Sequence, residues 1–323
     1  MRPSAPMSLS EIFDRLLKLI ARTWLRNLIV CSIVMAVPLI AFAIGMNSYI
    51  NSIIGLVGMK DLAATPTPLE VFRMMGGMMI FFAALFLFLA AQLVATLGVT
   101  ITGCAEINDI PLQWREVMNR MFGIRLLRLV GQKILELAAF IALFIFPVML
   151  IIIAAIAHSI WMAVFGVLLV LAAVLFMIFL IMKWMFTIPL IGWEDAEIIP
   201  AFQRSWSLVR GNWWRVFGIL TLMNIIVSFG ISLVSTPLTF ISLWDVFLQQ
   251  FRLFGTHSWD HAGPQEILGT FRTVGWRLGI INGVTSVAEL LITPLVVTVL
   301  YHDLLTREKK PAEPPEIPPA PVV

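Results

Sequence analysis

Six runs along the chain are apolar almost throughout: residues 28–46, 78–99, 134–157, 160–182, 216–235 and 278–301. Each is close to the roughly 20 residues a helix needs to cross a hydrocarbon core. His158 and Ser159 alone separate the third from the fourth, so these two must form a tight helical hairpin. The apolar pattern of the fifth carries on through Pro237 to Leu243. The expected fold is therefore all-α, a six-span transmembrane bundle.

Between these runs the polar positions recur with a helical period. In residues 8–26, Arg15, Lys18, Arg22 and Arg26 are spaced three, four and four apart and share one face. Ile12, Phe13, Leu16, Leu17, Ile20 and Trp24 cover the other, and Ser8 and Glu11 have capping-box spacing at its start. Such a stretch is expected to lie in the membrane interface as a basic amphipathic helix. A second basic segment, 111–133, has less distinct faces. The third reads IIPAFQRSWSLVRGNWWR. There Pro200 suits the first helical turn and Gly211 the position past the end. Phe202, Trp206, Val209 and Trp213 are expected on one side, and Gln203, Ser207 and Arg210 on the other.

The three segments align about Arg15, Arg120 and Arg204. In that register Trp24 falls on Trp213 and Arg26 on Arg215. Two spans follow each segment, the first of each pair containing a proline (Pro38, Pro147, Pro237). The pattern is a threefold repeat of surface helix plus transmembrane hairpin, within one integral domain over residues 1–310. Residues 311–323 hold six prolines and no apolar period, and are expected to be a disordered tail.

Composition agrees with the pattern: 60% of the 323 residues are hydrophobic and 13% charged, with a mean hydropathy of +0.95. That balance excludes a soluble enzyme. Seventeen of the 22 lysines and arginines fall in the segments on the side of the two termini. By the positive-inside rule both termini are expected to be cytoplasmic, and the membrane is expected to be the bacterial inner one. No cleavable signal peptide is visible in residues 1–27, where cations are spread along the sequence. The outer segments 47–77 and 244–276 carry aromatic residues expected to lie along the opposite interface. Cys31 and Cys104 are expected to be free thiols.

Candidate chemistry is sparse. Glu289 lies mid-span, where an ionisable group costs at least about 2.5 kcal/mol and is expected to face the bundle interior or a wet cavity. Asn224, Asn282 and Thr285 are its candidate partners, and Lys183 at the end of span four is expected to snorkel to the interface. Lys133 and Glu136 are placed to pair along one helix, while Glu194, Asp195 and Glu197 precede the Pro200 helix as favourable N-terminal charge. His257, Asp260 and His261 have metal-like spacing in an outer loop, but three residues in a polar loop are weak grounds for zinc. No phosphate-binding loop, dinucleotide fingerprint or nucleophile elbow is present, and no cofactor is expected. The basic residues hug membrane boundaries, which points to anionic headgroups at the cytoplasmic face and not to nucleic acid.

The run TIPLIGWEDAEIIPAFQRSWSLVRGNWWRVFGIL, with TPLVVTVLYHDLLTRE near the end, resembles the glycerophosphoryl diester phosphodiesterase membrane-domain family. The matching positions are Pro189, Glu194, Ala201, Arg204, Ser205, Trp206, Leu208, Gly211, Trp214, Arg215, Pro294, Tyr301 and Asp303. The catalytic barrel of that family and its His-Arg-Gly motif are missing from this sequence, so the resemblance implies a six-span membrane domain without the phosphodiesterase activity. Two functions remain open. One is a non-catalytic protein that organises lipid or an envelope partner, itself a membrane protein or a second copy. The other is a transporter or permease with Glu289 in its pathway.

Overall fold

A computed structural model describes residues 7–60, 68–110, 112–255, 271 and 274–309. Every regular element among them is helical: α1 (Leu9–Lys60), α2 (Pro68–Ile107), α3 (Trp114–Met121), α4 (Ile124–Ile156), α5 (Ile160–Trp184), α6 (Thr187–Gly192), α7 (Ile198–Val209), α8 (Trp213–Gly255) and α9 (Gly275–Lys309). Six of these, α1, α2, α4, α5, α8 and α9, are long and apolar enough to cross a membrane. The protein is thus an all-α polytopic bundle. The proline-rich tail and the loop holding His257, Asp260 and His261 lie outside the described residues.

The helices outrun the apolar stretches that nucleate them. The basic stretch 8–26 is not a separate surface helix: α1 continues from Leu9 through Pro38 to Lys60, 52 residues without a break. Nothing between Arg22 and Leu28 is a helix breaker, so hydrogen bonding propagates once the first turn is capped. That cap is the expected box, with the Ser8 N–H donating to Glu11 Oε2 at 2.7 Å and the Glu11 N–H to Ser8 Oγ at 3.3 Å. The outer segments likewise continue the spans, α8 running 43 residues through Pro237.

The described chain forms two compact units. Unit one comprises residues up to Thr23, Thr100–Leu222 and the chain from Leu295 onward. It contains the α4–α5 hairpin, which turns through Ala157, His158 and Ser159 as its brevity demands. His158 adopts φ +50, and the Ser159 N–H returns to Ala154 O at 3.0 Å. Below the turn α5 approaches closely at Gly166, where a Cβ would stand 2.6 Å from Ile151. The core of this unit is built from fully covered side chains, among them Phe186, Leu190, Ile191 and Tyr301.

Unit two comprises Trp24–Val99 and Met223–Pro294. Here α9 lays Gly275, Gly279 and Gly283, one turn apart, against Asn47, Ala43 and Leu39 of α1. A Cβ on Gly279 would lie 2.6 Å from the Ala43 Cα, so only glycine permits this approach. Small residues at helix contacts are what membrane bundles use in place of a hydrophobic driving force. Against α2, α1 stacks Phe42 on Phe88 and Tyr49 on Phe81, each with centroids 4.6 Å apart.

Candidate functional site

The densest polar chemistry lies in unit one, and it begins from a carboxylate. Asp303, near the end of α9, has no solvent exposure. Its Oδ1 accepts the Met7 backbone N–H at 2.8 Å. Its Oδ2 faces Arg307 Nε at 3.0 Å and Arg215, from the first turn of α8, at 3.3 Å. Both guanidiniums turn also to the Met7 carbonyl, at 2.5 Å from Arg215 and 3.0 Å from Arg307. One peptide, one carboxylate and two arginines thereby tie the start of α1 to the ends of α8 and α9. The single carboxylate is shared by two guanidiniums, and the peptide's donor and acceptor are both used, although the Arg215 Nε is buried without a partner among the described residues.

Two further pairs join α9 to the segment before and within α7. The Tyr301 hydroxyl donates to Glu194. Arg204 forks onto both oxygens of Glu308, at 2.8 and 2.6 Å, the bidentate geometry that suits guanidinium to carboxylate. The acidic run before α7 therefore acts through specific partners. Asp195, at φ +58, takes Arg128 at 2.9 Å and Arg125 at 3.3 Å. Glu197 is the N-cap residue but makes no side-chain cap bond. The expected N-terminal charge effect gives way to cross-chain pairing because α4 presents two arginines to the loop.

The α7 helix itself starts two residues before Pro200 and ends at Val209, with Gly211 at φ +84 just beyond, the left-handed turn that glycine adopts at least cost. Its buried residues are Ala201, Ser205, Leu208 and Val209, of which only Val209 belongs to the expected row of Phe202, Trp206, Val209 and Trp213. Small side chains let α7 approach the end of α5, where Ser205 Oγ donates to the Lys183 carbonyl at 2.7 Å and accepts the Phe186 N–H at 3.2 Å. The aromatics flank this contact. Phe202 meets Trp184 edge-on at 5.1 Å and Trp206 meets Phe179 at 5.7 Å.

Lys183 is only 5% exposed, and its ammonium lies over the rings of Trp206 and Phe179, 5.0 and 5.6 Å from their centroids. A cation on two aromatic faces is held by their quadrupoles while its stem is covered. Lys133 and Glu136 pair as expected, at 2.6 Å.

The amphipathic stretch of α1 also turns differently. Ile12, Leu16, Leu19, Thr23 and Asn27 are the buried row, so the helix packs on protein. Lys18 pairs with Asp14 at 2.7 Å, and Arg22 stands 3.8 Å from Glu106. Arg15 and Arg26 are half-buried, while Trp24 remains exposed.

Glu289 is exposed on α9, as is Asn282, and Asn224 is exposed on α8. The Asn282 amide donates to Leu278 O and the Thr285 hydroxyl to Ile281 O, so both polar groups are satisfied by their own helix and not by the carboxylate. Of the two settings expected for Glu289, bundle interior or wet cavity, its exposure leaves out the packed interior, for a geometric reason. The α9 glycines claim the packed face, and six residues past Gly283 is about 240° round the helix. Pro294 is buried and Trp214 is 77% exposed. Both cysteines are free and buried. Sequence reasoning had named Asp303, Arg215, Glu194 and Tyr301 without pairing them. It missed Arg307, whose i+4 spacing from Asp303 was a usable signal, and Glu308 and Met7, which carried none.

Among the described residues no group of three or more His, Cys, Asp or Glu is placed to hold a metal. The fold and this polar joint define an integral membrane protein whose spans are bonded through their basic ends. Residues 118–303 match the family described as a domain of unknown function, DUF7847, and the chain belongs to that family. No curated protein and no solved structure matches it.

Proposed function

We propose that this chain is a non-catalytic protein of the bacterial inner membrane, with both termini in the cytoplasm, that organises anionic lipid or a membrane-protein partner at its basic face. The observation that carries the reading is the mixture of exposed cations and exposed tryptophans in unit one. Arg115 lies over Trp114 at 5.3 Å, Trp206 on α7 and Arg210 at its C-cap are both exposed, and Trp214 is 77% exposed at the start of α8. Tryptophan prefers the headgroup level, and each basic residue near an anionic surface adds about 1 kcal/mol of attraction. The resemblance of residues 187–217 to the phosphodiesterase membrane domain fits a membrane role without hydrolysis.

The test is the lipid that stays with the gently purified protein. Anionic phospholipid should be enriched over its share of the membrane, and the enrichment should fall when salt is raised. Lipid retained in the membrane's own proportions would overturn the proposal.

A further inference from the structure

The buried lysine of α5 has a property that the surrounding ion pairs lack. Arg125, Arg128, Arg204, Arg215 and Arg307 each face a carboxylate. Lys183 faces none: its ammonium makes no hydrogen bond or ion pair with any described residue and rests on Trp206 and Phe179 alone. Arg210, exposed and without a carboxylate partner among the described residues, is the C-cap residue of α7, the helix that carries Trp206. In the same aromatic cluster Trp213 packs on Phe179 at 6.0 Å and Phe217 at 5.1 Å, and its indole N–H has no acceptor. A buried cation and an orphaned donor thus share the aromatic cluster where α5 ends. A covered charge without a counter-ion is costly, and among the described residues none offers the Lys183 ammonium an acceptor. The Lys183 ammonium is not among the sealed polar atoms, so the vacancy in its bonding is open to a ligand.

We propose that Lys183, Arg210 and the Trp206 ring form a binding site for one phosphate anion, supplied by a phospholipid headgroup. This deepens the lipid-organising reading and rests on it. Lys183 is the penultimate residue of α5, and the rise from the hairpin turn at Ile160 to it is about 35 Å, enough to cross the roughly 30 Å hydrocarbon core and reach the level where phosphates are the concentrated anions. Lysine binds phosphate as a point charge and arginine as a fork, and Trp206, 39% exposed, provides the apolar wall along which the glycerol and first acyl carbons lie. The site differs from the diffuse attraction of an exposed basic face because it holds one lipid in one place.

The experiment titrates the full-length protein in neutral detergent with phosphatidylglycerol or phosphatidylcholine, counting bound lipids by native mass spectrometry and following thermal unfolding. The wild type should retain one phosphatidylglycerol in preference to phosphatidylcholine, and that lipid should raise the unfolding midpoint. Lys183→Met should weaken its retention about five- to tenfold, the effect of one basic residue or slightly more, with Lys183→Arg keeping most of it. Arg210→Gln should weaken it by less. Without lipid Lys183→Met should unfold no earlier than the wild type, since an uncompensated covered charge has been removed. Wild-type retention by a folded Lys183→Met overturns the site. If Lys183→Met does not fold, Lys183→Gln is judged by the same criterion. Inorganic phosphate raising the wild-type midpoint as phosphatidylglycerol does, and not that of Lys183→Met, would assign the site to soluble phosphate. Replacing Arg115 and Arg120, both exposed on α3, by Gln separates the two proposals. It should lower bulk anionic enrichment and leave the single lipid in place. Loss of enrichment with Lys183 irrelevant sinks the site but keeps the broader reading, whereas no anionic enrichment in any variant sinks both.

Discussion

The two compact units are held together by different physics. Unit one uses directed bonds: the Asp303 cluster, the Tyr301 hydroxyl on Glu194, the Arg204–Glu308 fork and Ser205 between two backbone groups. Unit two uses close approach: glycines of α9 on α1, and the stacked aromatics of α1 and α2. Unit one must stabilise short helices and irregular connections, whose backbone groups need partners. Unit two consists of long helices with their backbones already bonded, so dispersion and shape suffice. Loss of one polar atom should therefore be felt in the first, and addition of one methyl group in the second.

The largest effect should come from Asp303→Asn, which leaves two arginines without their carboxylate. Breaking such a covered pair costs about 3 kcal/mol. A lower midpoint of thermal unfolding, with protease cleavage near residue 7 appearing first, is expected. Gly279→Val should follow at about 2 kcal/mol, because the new side chain meets the Ala43 backbone and must push α1 away. The same change at Gly218, where a Cβ meets nothing within 4 Å, should cost far less. Equal losses at the two glycines would mean that helix propensity and not packing is being measured. Ser205→Ala should cost about 1 to 1.5 kcal/mol by stranding the Phe186 N–H and the Lys183 carbonyl. Gly211→Ala, forced into φ +84, should cost about 1 kcal/mol. Smallest of all is Glu289→Gln, exposed and without a partner, within about 0.5 kcal/mol of the wild type. A loss of several degrees in its melting curve would show that the carboxylate is bonded to something that the purified chain retains.

Much of unit one's local structure was legible in the sequence because it is written in short-range terms. The Ser8–Glu11 box, Pro200 and Gly211 at the ends of α7, the Lys133–Glu136 pair and the two-residue hairpin at His158 each need fewer than five residues of context. The six spans were legible because bilayer thickness sets their length. What stayed hidden was rotation about a helix axis. The pattern of α7 offered a largely aromatic row, and of that row the fold buries only Val209. Glu289 was expected in the interior or a wet cavity from its cost in lipid, and the glycine face of α9 turns it out of the packed interior. The basic stretch of α1 looked like a surface helix because charge periodicity does not reveal whether the next turn breaks. Tyr301 and Glu194 stand 107 positions apart, a separation no local pattern encodes.

The Met7 peptide also sets a timetable for biogenesis. It and Asp303 are separated by 296 positions, nearly the whole chain. At about 5–20 residues per second, synthesis delivers the first turn of α1 tens of seconds before its partner exists. Throughout that interval the amino end has its capping box but not its anchor, and the guanidinium of Arg215 arrives before the carboxylate that fixes it. Closure of this joint therefore waits for α9, and a segment before α1 still accessible to protease reports a molecule in which α9 has not yet docked.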